Sequence, residues 1–211
     1  MVLNPAETAL LVIDVQNTYL KRPDLAELSS EEQRSYHAWT PFHNRMHNIV
    51  IPNVRQLLAE FRKDGIECMF ARIACRTKDG RDRSISQKKP GWNNLLLPKD
   101  EAPSQLLDDL SPKGDEVCVI KTTDSALTGT NLRLILHNMG IKNVICGGIF
   151  TDQCVSSTVR SLADESFDVI VLEDCCAAGS DELHQKELEI INMIYCHVMS
   201  SAELKAMMDL A

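Results

Sequence analysis

The stretch whose reading decides the fold is Asn143-Val144-Ile145-Cys146-Gly147-Gly148-Ile149-Phe150-Thr151-Asp152-Gln153-Cys154-Val155. The run from Asn143 to Cys146 leads into two glycines, and a helical pattern begins just beyond them. This reads as a buried strand, a sharp turn and a cysteine in the first turn of the next helix. Free peptide N–H groups and the positive end of the helix dipole gather at such a place, and both stabilise a thiolate. Cys154 is therefore a candidate nucleophile.

Outward from this unit, strand and helix patterns alternate. Ala9 to Ile13 is a short apolar run ending at Asp14, the pattern of a strand buried on both faces. Residues 16–42 are polar and mixed, with Pro23 and Pro41, and read mostly as loop. From about Asn44 a helical stripe appears, Val50, Val54, Leu57, Leu58 and Phe61, with Gly65 at the stop position. Ile66–Ile73 reads as the second strand and Glu116–Lys121 as the third. Thr130 is a candidate cap for a helix with the stripe Leu132, Ile135, Leu136 and Met139, ending at Gly140. Val144–Cys146 is the fourth strand. Thr151 or Asp152 is expected to cap the helix that carries Val155, Thr158, Val159 and Leu162. Val169–Leu172 forms a fifth strand, Glu182–Ile194 a helix, Cys196–Met199 a short sixth strand, and Ala202–Leu210 a closing helix.

Such alternation implies an α/β fold: three layers, with a parallel sheet covered by helices on both faces. At 211 residues the whole chain, 1–211, is expected to form a single domain with a sizeable core. The net charge of -8 argues against a nucleic-acid partner, because phosphate binding wants a basic surface. No apolar run approaches the roughly 20 residues that span a bilayer, and no basic region precedes the apolar segment of Met1–Leu11, so neither membrane nor signal peptide is read. The eight cysteines are irregularly spaced, lie mostly in apolar runs and include no Cys-x-x-Cys pair. They read as reduced hydrophobes in a cytoplasmic setting, Cys154 excepted.

In parallel sheets ligands bind beyond the carboxyl ends of the strands. Asp14 ends the first strand, Lys121 ends the third, and Cys154 opens the helix after the fourth, so all three can meet at one sheet edge. Together they suit attack on a carbonyl. The thiolate is the nucleophile, the ammonium stabilises it, and the carboxylate takes the thiol proton and returns it to a departing amine. Backbone N–H groups at the helix start can receive the oxyanion. The alternative is an Asp14–Lys121 ion pair with a structural role only.

The segments Leu11-Val12-Ile13-Asp14-Val15-Gln16-Asn17, then Lys121 ahead of Ser125 and Gly129-Thr130, then Gly148 through Val155 resemble the isochorismatase-like cysteine hydrolases. The resemblance implies a six-stranded Rossmann-like fold and an Asp14–Lys121–Cys154 triad that hydrolyses a carbon–nitrogen bond through a thioester. It implies a cis peptide at Ile149–Phe150 and an oxyanion hole made by the N–H groups of Phe150 and Cys154. It also implies assembly into a homo-oligomer, a dimer or tetramer. Family members that cleave a vinyl ether lack the cysteine, so its presence here points to an amidohydrolase acting on a small amide, ureide or carbamoyl compound. Nicotinamidases of the family carry an Asp/His metal cluster after the second strand. Ala71–Ser84 contains no histidine, which speaks against nicotinamide as substrate and against a catalytic metal; no organic cofactor is expected either. Asp79–Ser84 and Leu172–Cys176 resemble the corresponding segments of uncharacterised cysteine hydrolases and of ureide- or biuret-cleaving members. The rival readings are a vinyl-ether hydrolase using Asp14 as general acid and a non-catalytic binding or redox-sensing protein.

Further candidates are less determined. Gln16, Asn17 and Tyr19, just past Asp14, are candidate pocket residues. Arg76, Arg81 and Arg83 read either as a solvated charge run or, for one of Arg81 and Arg83 above all, as a fork on a substrate carboxylate. Trp92 either stacks a planar substrate or fills core under the loop. His184 either faces the pocket or stands at a helix start on the surface. His43 and His47 have the i, i+4 spacing of zinc ligands but no carboxylate or cysteine at a suitable step.

Overall fold

The computed structural model describes residues 3–20 and 23–208. Six parallel strands, β1 (Thr8–Ile13), β2 (Glu67–Ile73), β3 (Cys118–Lys121), β4 (Asn143–Ile149), β5 (Asp168–Ala177) and β6 (His197–Met199), form one sheet in the order β3-β2-β1-β4-β5-β6. The alternation of side chains along β1 divides the core into two layers. Leu10 and Val12 pack with Val54, Leu57, Leu58 and Phe61 of the Ile51–Lys63 helix and with Leu204. Leu11 and Ile13 face the opposite way, onto Leu132 and Leu136, Val155, Val159 and Leu162, and Leu188 and Ile191. Every residue of β1 and β4 is buried, as a central parallel strand covered on both faces requires.

The order of strands reverses between β1 and β4, which places a crevice at their carboxyl ends. The two strands approach there more closely than side chains allow. Gly148 has φ +123, and a Cβ on it would lie 2.0 Å from the Ile13 carbonyl oxygen. Only glycine meets both conditions.

Several expectations need correction. The described residues of 16–42 are largely helical, with a turn at Asn17–Leu20 and helices at Ser30–Ala38 and Thr40–Arg45. Ser29 and Glu32 form a reciprocal capping box on the first of these helices, a signal that the polar composition obscured. Neither Thr151 nor Asp152 caps the helix after β4. A π-turn, Thr151–Val155, precedes the α-helix Ser156–Asp164 and has no side-chain cap. Met139 is exposed rather than part of the core stripe. β5 extends five residues beyond its expected end at Leu172. The 181–191 helix stops at Ile191, and the closing helix runs over Ser201–Met208; Leu210 lies outside the described residues.

Candidate active site

At the end of β1 the chain turns through Asp14, whose φ of 54 is left-handed. Aspartate tolerates that region better than most side chains. Its N–H donates to the Ala71 carbonyl (2.9 Å) and its carbonyl accepts from the Gln16 N–H (2.8 Å), so the backbone on both sides is fixed. Lys121, the last residue of β3, reaches past β2. Its Nζ lies 2.7 Å from Asp14 Oδ2 and 3.3 Å from Cys154 Sγ, and it donates to the Thr123 carbonyl at 3.1 Å. All three side chains are essentially removed from solvent: Asp14 is 2%, Lys121 0% and Cys154 5% exposed. One buried ammonium therefore bridges a carboxylate and a thiol.

Burial sets the protonation states. It pushes the Asp14 carboxyl above its ordinary range, opposed by the Lys121 ammonium. Burial works against the Lys121 charge, but the Asp14 and Cys154 groups outweigh it and the amine is held above its usual value. Burial, followed by the Asp14 charge, pushes the Cys154 thiol well up, against the pull of Lys121. Desolvation thus works against the Cys154 thiolate, the Lys121 ammonium works for it, and the neighbouring Asp14 carboxylate is held more basic than usual.

Cys154 is carried by a tight turn. The Phe150 carbonyl accepts the N–H groups of Gln153 (3.0 Å) and Val155 (3.2 Å) on either side of it. The Ile149–Phe150 peptide bond is cis. Beneath the turn, Thr151 Oγ1 lies 2.8 Å from His184 Nδ1, and Arg45 Nη2 lies 2.8 Å from His184 Nε2. A guanidinium only donates, so Nε2 accepts, and Nδ1 carries the proton given to Thr151. Burial and then the Arg45 charge bring the His184 pKa down to about 4.

Beside these groups lies a cavity of about 440 Å³ lined by Tyr19, Tyr36, Trp39, Phe42 and Phe150, with Asn93 and Gln153 as polar members. The chain has only five Phe, two Trp and three Tyr, so half of its aromatic residues converge on this one place. Phe150 packs at 5.2 Å from Tyr19, 5.0 Å from Phe42 and 5.8 Å from Trp39 between ring centroids. Asn93 Nδ2 donates to Gln153 Oε1 at 2.8 Å, which ties the 74–98 loop to the turn bearing Cys154.

The other candidates are placed as follows. Tyr19 lines the cavity. Gln16 does not: it is buried, and its amide is consumed by the Ile73 carbonyl and N–H and the Ser104 carbonyl. Asn17 donates to the Ala102 carbonyl. His184 is in the interior, facing Thr151 and Arg45 rather than the cavity. Trp92 is 60% exposed, with the Lys89 ammonium 4.2 Å from its ring centroid, so it neither fills core nor joins the aromatic lining. Arg81 pairs with Asp79 on the surface. Arg83 is spent inside its own loop, on the carbonyls of Gly80, Gln87 and Leu95. Arg76 is exposed and borders a separate cleft beside β3. No group of three or more His, Cys, Asp or Glu side chains is arranged to hold a metal among the described residues.

Sequence reasoning missed Trp39, Tyr36 and Phe42, which sit in the segment read as loop. It also missed Asp124, whose Oδ1 lies 3.7 Å from Cys154 Sγ. Asp124 stands between Lys121 and Ser125, within the very segment that carried the family resemblance.

The Isochorismatase domain profile matches residues 8–203. The chain belongs to the isochorismatase family. This family member is 28% identical to the ureidoacrylate amidohydrolase RutB of Pantoea ananatis over 195 residues, covering 86% of this chain and 74% of that one. It is 25% identical to the RutB of Acinetobacter baylyi over 213 residues, covering 92% and 80%. In fold it is similar to a cysteine hydrolase from Pseudomonas syringae pv. phaseolicola, with a TM-score of 0.81, 20% identity and coverage of 99% and 95%. A likeness to the N-carbamoylsarcosine amidase of Thermoplasma acidophilum has a TM-score of 0.65, 22% identity and coverage of 92% and 96%. These four relatives of the isochorismatase-family chain are named as hydrolases, amidohydrolases or an amidase. No described helix is long and apolar enough to cross a membrane.

Proposed function

We propose that this isochorismatase-family protein is a cysteine amidohydrolase that cleaves the C–N bond of a small ureido, carbamoyl or amide compound. The observation that carries the reading is the Lys121 ammonium set between Asp14 (2.7 Å) and Cys154 (3.3 Å) in a water-excluded site. The relatives named for ureidoacrylate favour the ureido class.

Substrate brings its carbonyl to Sγ. Asp14, made more basic by burial, takes the thiol proton as sulfur attacks. Lys121 keeps its proton and balances the negative charge that passes from carboxylate to sulfur. The N–H groups of Phe150 and Cys154 donate to the oxyanion; each such donor supplies about 3 kcal/mol in comparable sites. The tetrahedral intermediate collapses with cleavage of the C–N bond, and Asp14 delivers its proton to the departing nitrogen. The acyl group remains on Cys154 as a thioester. Water then attacks it, Asp14 takes a proton from that water, and the thiol is regenerated.

On this reading the chain works as a single domain without metal or organic cofactor. A cytoplasmic setting is part of the proposal and is supported by eight free cysteines. So is a homo-oligomer, supported by exposed Ile190, Met193 and Ile194 on and after the 181–191 helix. The test is ammonia or amine release from a panel of small ureides and amides, with intact-mass detection of an acyl adduct. Cys154→Ala is expected to lose activity by about a thousandfold or more. Full activity in that variant would leave an ether hydrolase, with Asp14 as general acid, as the better reading.

A further inference from the structure

Asp124 presents a second carboxylate to the nucleophile. Its Oδ1 is 3.7 Å from Cys154 Sγ and accepts from Gln87 Nε2 at 2.9 Å. Gln87 is 1% exposed, and its own Oε1 is buried without a hydrogen-bond partner. The carboxylate is therefore held in place by a buried amide. Asp14, the first carboxylate, is buried against the Lys121 ammonium. Both carboxylates bear on Cys154, and both also act electrostatically on Tyr19, which lines the cavity.

Toward thiolate formation Asp124 is counterproductive, since its charge adds to that of Asp14 in holding the thiol protonated. A carboxylate has about four acceptor sites; Gln87 and the Cys154 S–H both donate to Oδ1, and the sites that remain can take donors that substrate supplies. A carbonyl brought to Sγ thus lies between two acceptors. Asp14 serves the nitrogen that leaves. A carbon substituent on the other side would press an apolar group on Asp124 and strip its water without replacement. A nitrogen on that side would donate to it.

We propose that Asp124 is a specificity-determining residue that accepts an N–H from the nitrogen retained on the acyl side of the scissile bond. It thereby directs the enzyme to substrates whose carbonyl lies between two nitrogens. This inference rests on the amidohydrolase reading above. It assigns the choice of ureido over plain amide substrates to a named side chain, and it makes substrate a cofactor of its own activation: N–H donation to Asp124 withdraws the charge that opposes the thiolate.

The test uses two chromogenic probes with the same leaving group, 4-nitrophenylurea and 4-nitroacetanilide, which differ only in an NH₂ or a CH₃ beside the carbonyl. In Asp124→Asn, a shape-conserving change, the ratio of kcat/KM for urea over anilide is expected to fall about 10–100-fold, because a donor now faces a donor. A purely structural Asp124 would lower both substrates together and leave the ratio unchanged, which overturns the inference. Binding gives an arm independent of turnover. Cys154→Ala protein should bind the urea more tightly than the anilide by calorimetry, and adding Asp124→Asn should remove that difference. Equal affinities before and after would overturn the inference even if the enzyme proved active. Absence of nitroaniline release and of any acyl adduct with the wild-type protein would instead sink the amidohydrolase reading, while the binding arm still decides the part played by Asp124.

Discussion

Acidification should loosen this fold through one histidine. His184 is fully buried between Arg45 Nη2 and Thr151 Oγ1, each at 2.8 Å, with no room for a second charge beside the guanidinium. Its pKa is about 4 in the folded protein against an ordinary value of 6.5. Below pH 6.5 the unfolded chain takes up a proton that the native state refuses until about pH 4, so stability must fall as pH falls through that window. Integrating the two titrations gives a loss of about 2 kcal/mol between pH 7 and pH 4.5 from this group alone. With a urea m-value of about 2 kcal/mol per molar, the midpoint should drop by about 1 M. Other groups titrate in the same range, so the comparison is with His184→Gln. Glutamine can accept from Arg45 and donate to Thr151 but cannot ionise. Urea unfolding curves at several pH values should show a shallower acid dependence for the variant, by about the amount calculated. Parallel stability–pH profiles for the two proteins would refute the reasoning, because they would mean that His184 is protonated at no net cost in the native state.

Three other perturbations follow from the same geometry. Lys121→Met strands a buried carboxylate and should cost about 3–5 kcal/mol while Asp14 is ionised; part of this should return as pH falls and Asp14, already held above its usual range by burial, takes up a proton, read by thermal melts across the acid range. Gln16→Leu leaves the Ile73 N–H and carbonyl without their side-chain partner in the interior, while the Ser104 carbonyl keeps Arg72. At about 1–3 kcal/mol for each buried unsatisfied group, the variant should lose several kcal/mol in denaturant titration while KM stays near that of the parent. Gly148→Ala, which would drive a Cβ to 2.0 Å from the Ile13 carbonyl oxygen, should fail to give folded protein, seen as loss of soluble yield and of a cooperative melt.

The strands and their order of appearance were legible because a parallel sheet covered on both faces writes itself as short apolar runs between helical stripes. The stripe Val50 to Phe61 and the stripe Val155 to Leu162 are buried for the same reason. The Ser30–Ala38 helix was not legible by that criterion, since no residue in it is buried and it has no apolar face to read. Only its capping box announced it. Arginines 81 and 83 carry the same charge in sequence whether they meet substrate or their own loop, and nothing local distinguishes the two. His184 looked like a residue at an exposed helix start because its partners, Arg45 and Thr151, are distant in the chain. Asp124 is invisible for the opposite reason: it belongs to a stretch scanned for its lysine, and its proximity to sulfur depends on how the segment after β3 folds back.

The contact of Gly148 with the Ile13 backbone welds the floor of the crevice. No side chain can be inserted there, so the distance from the end of β1 to the turn holding the sulfur has no adjustable part. The aromatic wall, by contrast, is hung largely on short helices between residues 17 and 45 that bury few side chains in the core. A lineage built on this plan is free to re-tailor what enters the crevice while its reactive floor stays invariant, and divergence among its members should accumulate in the wall.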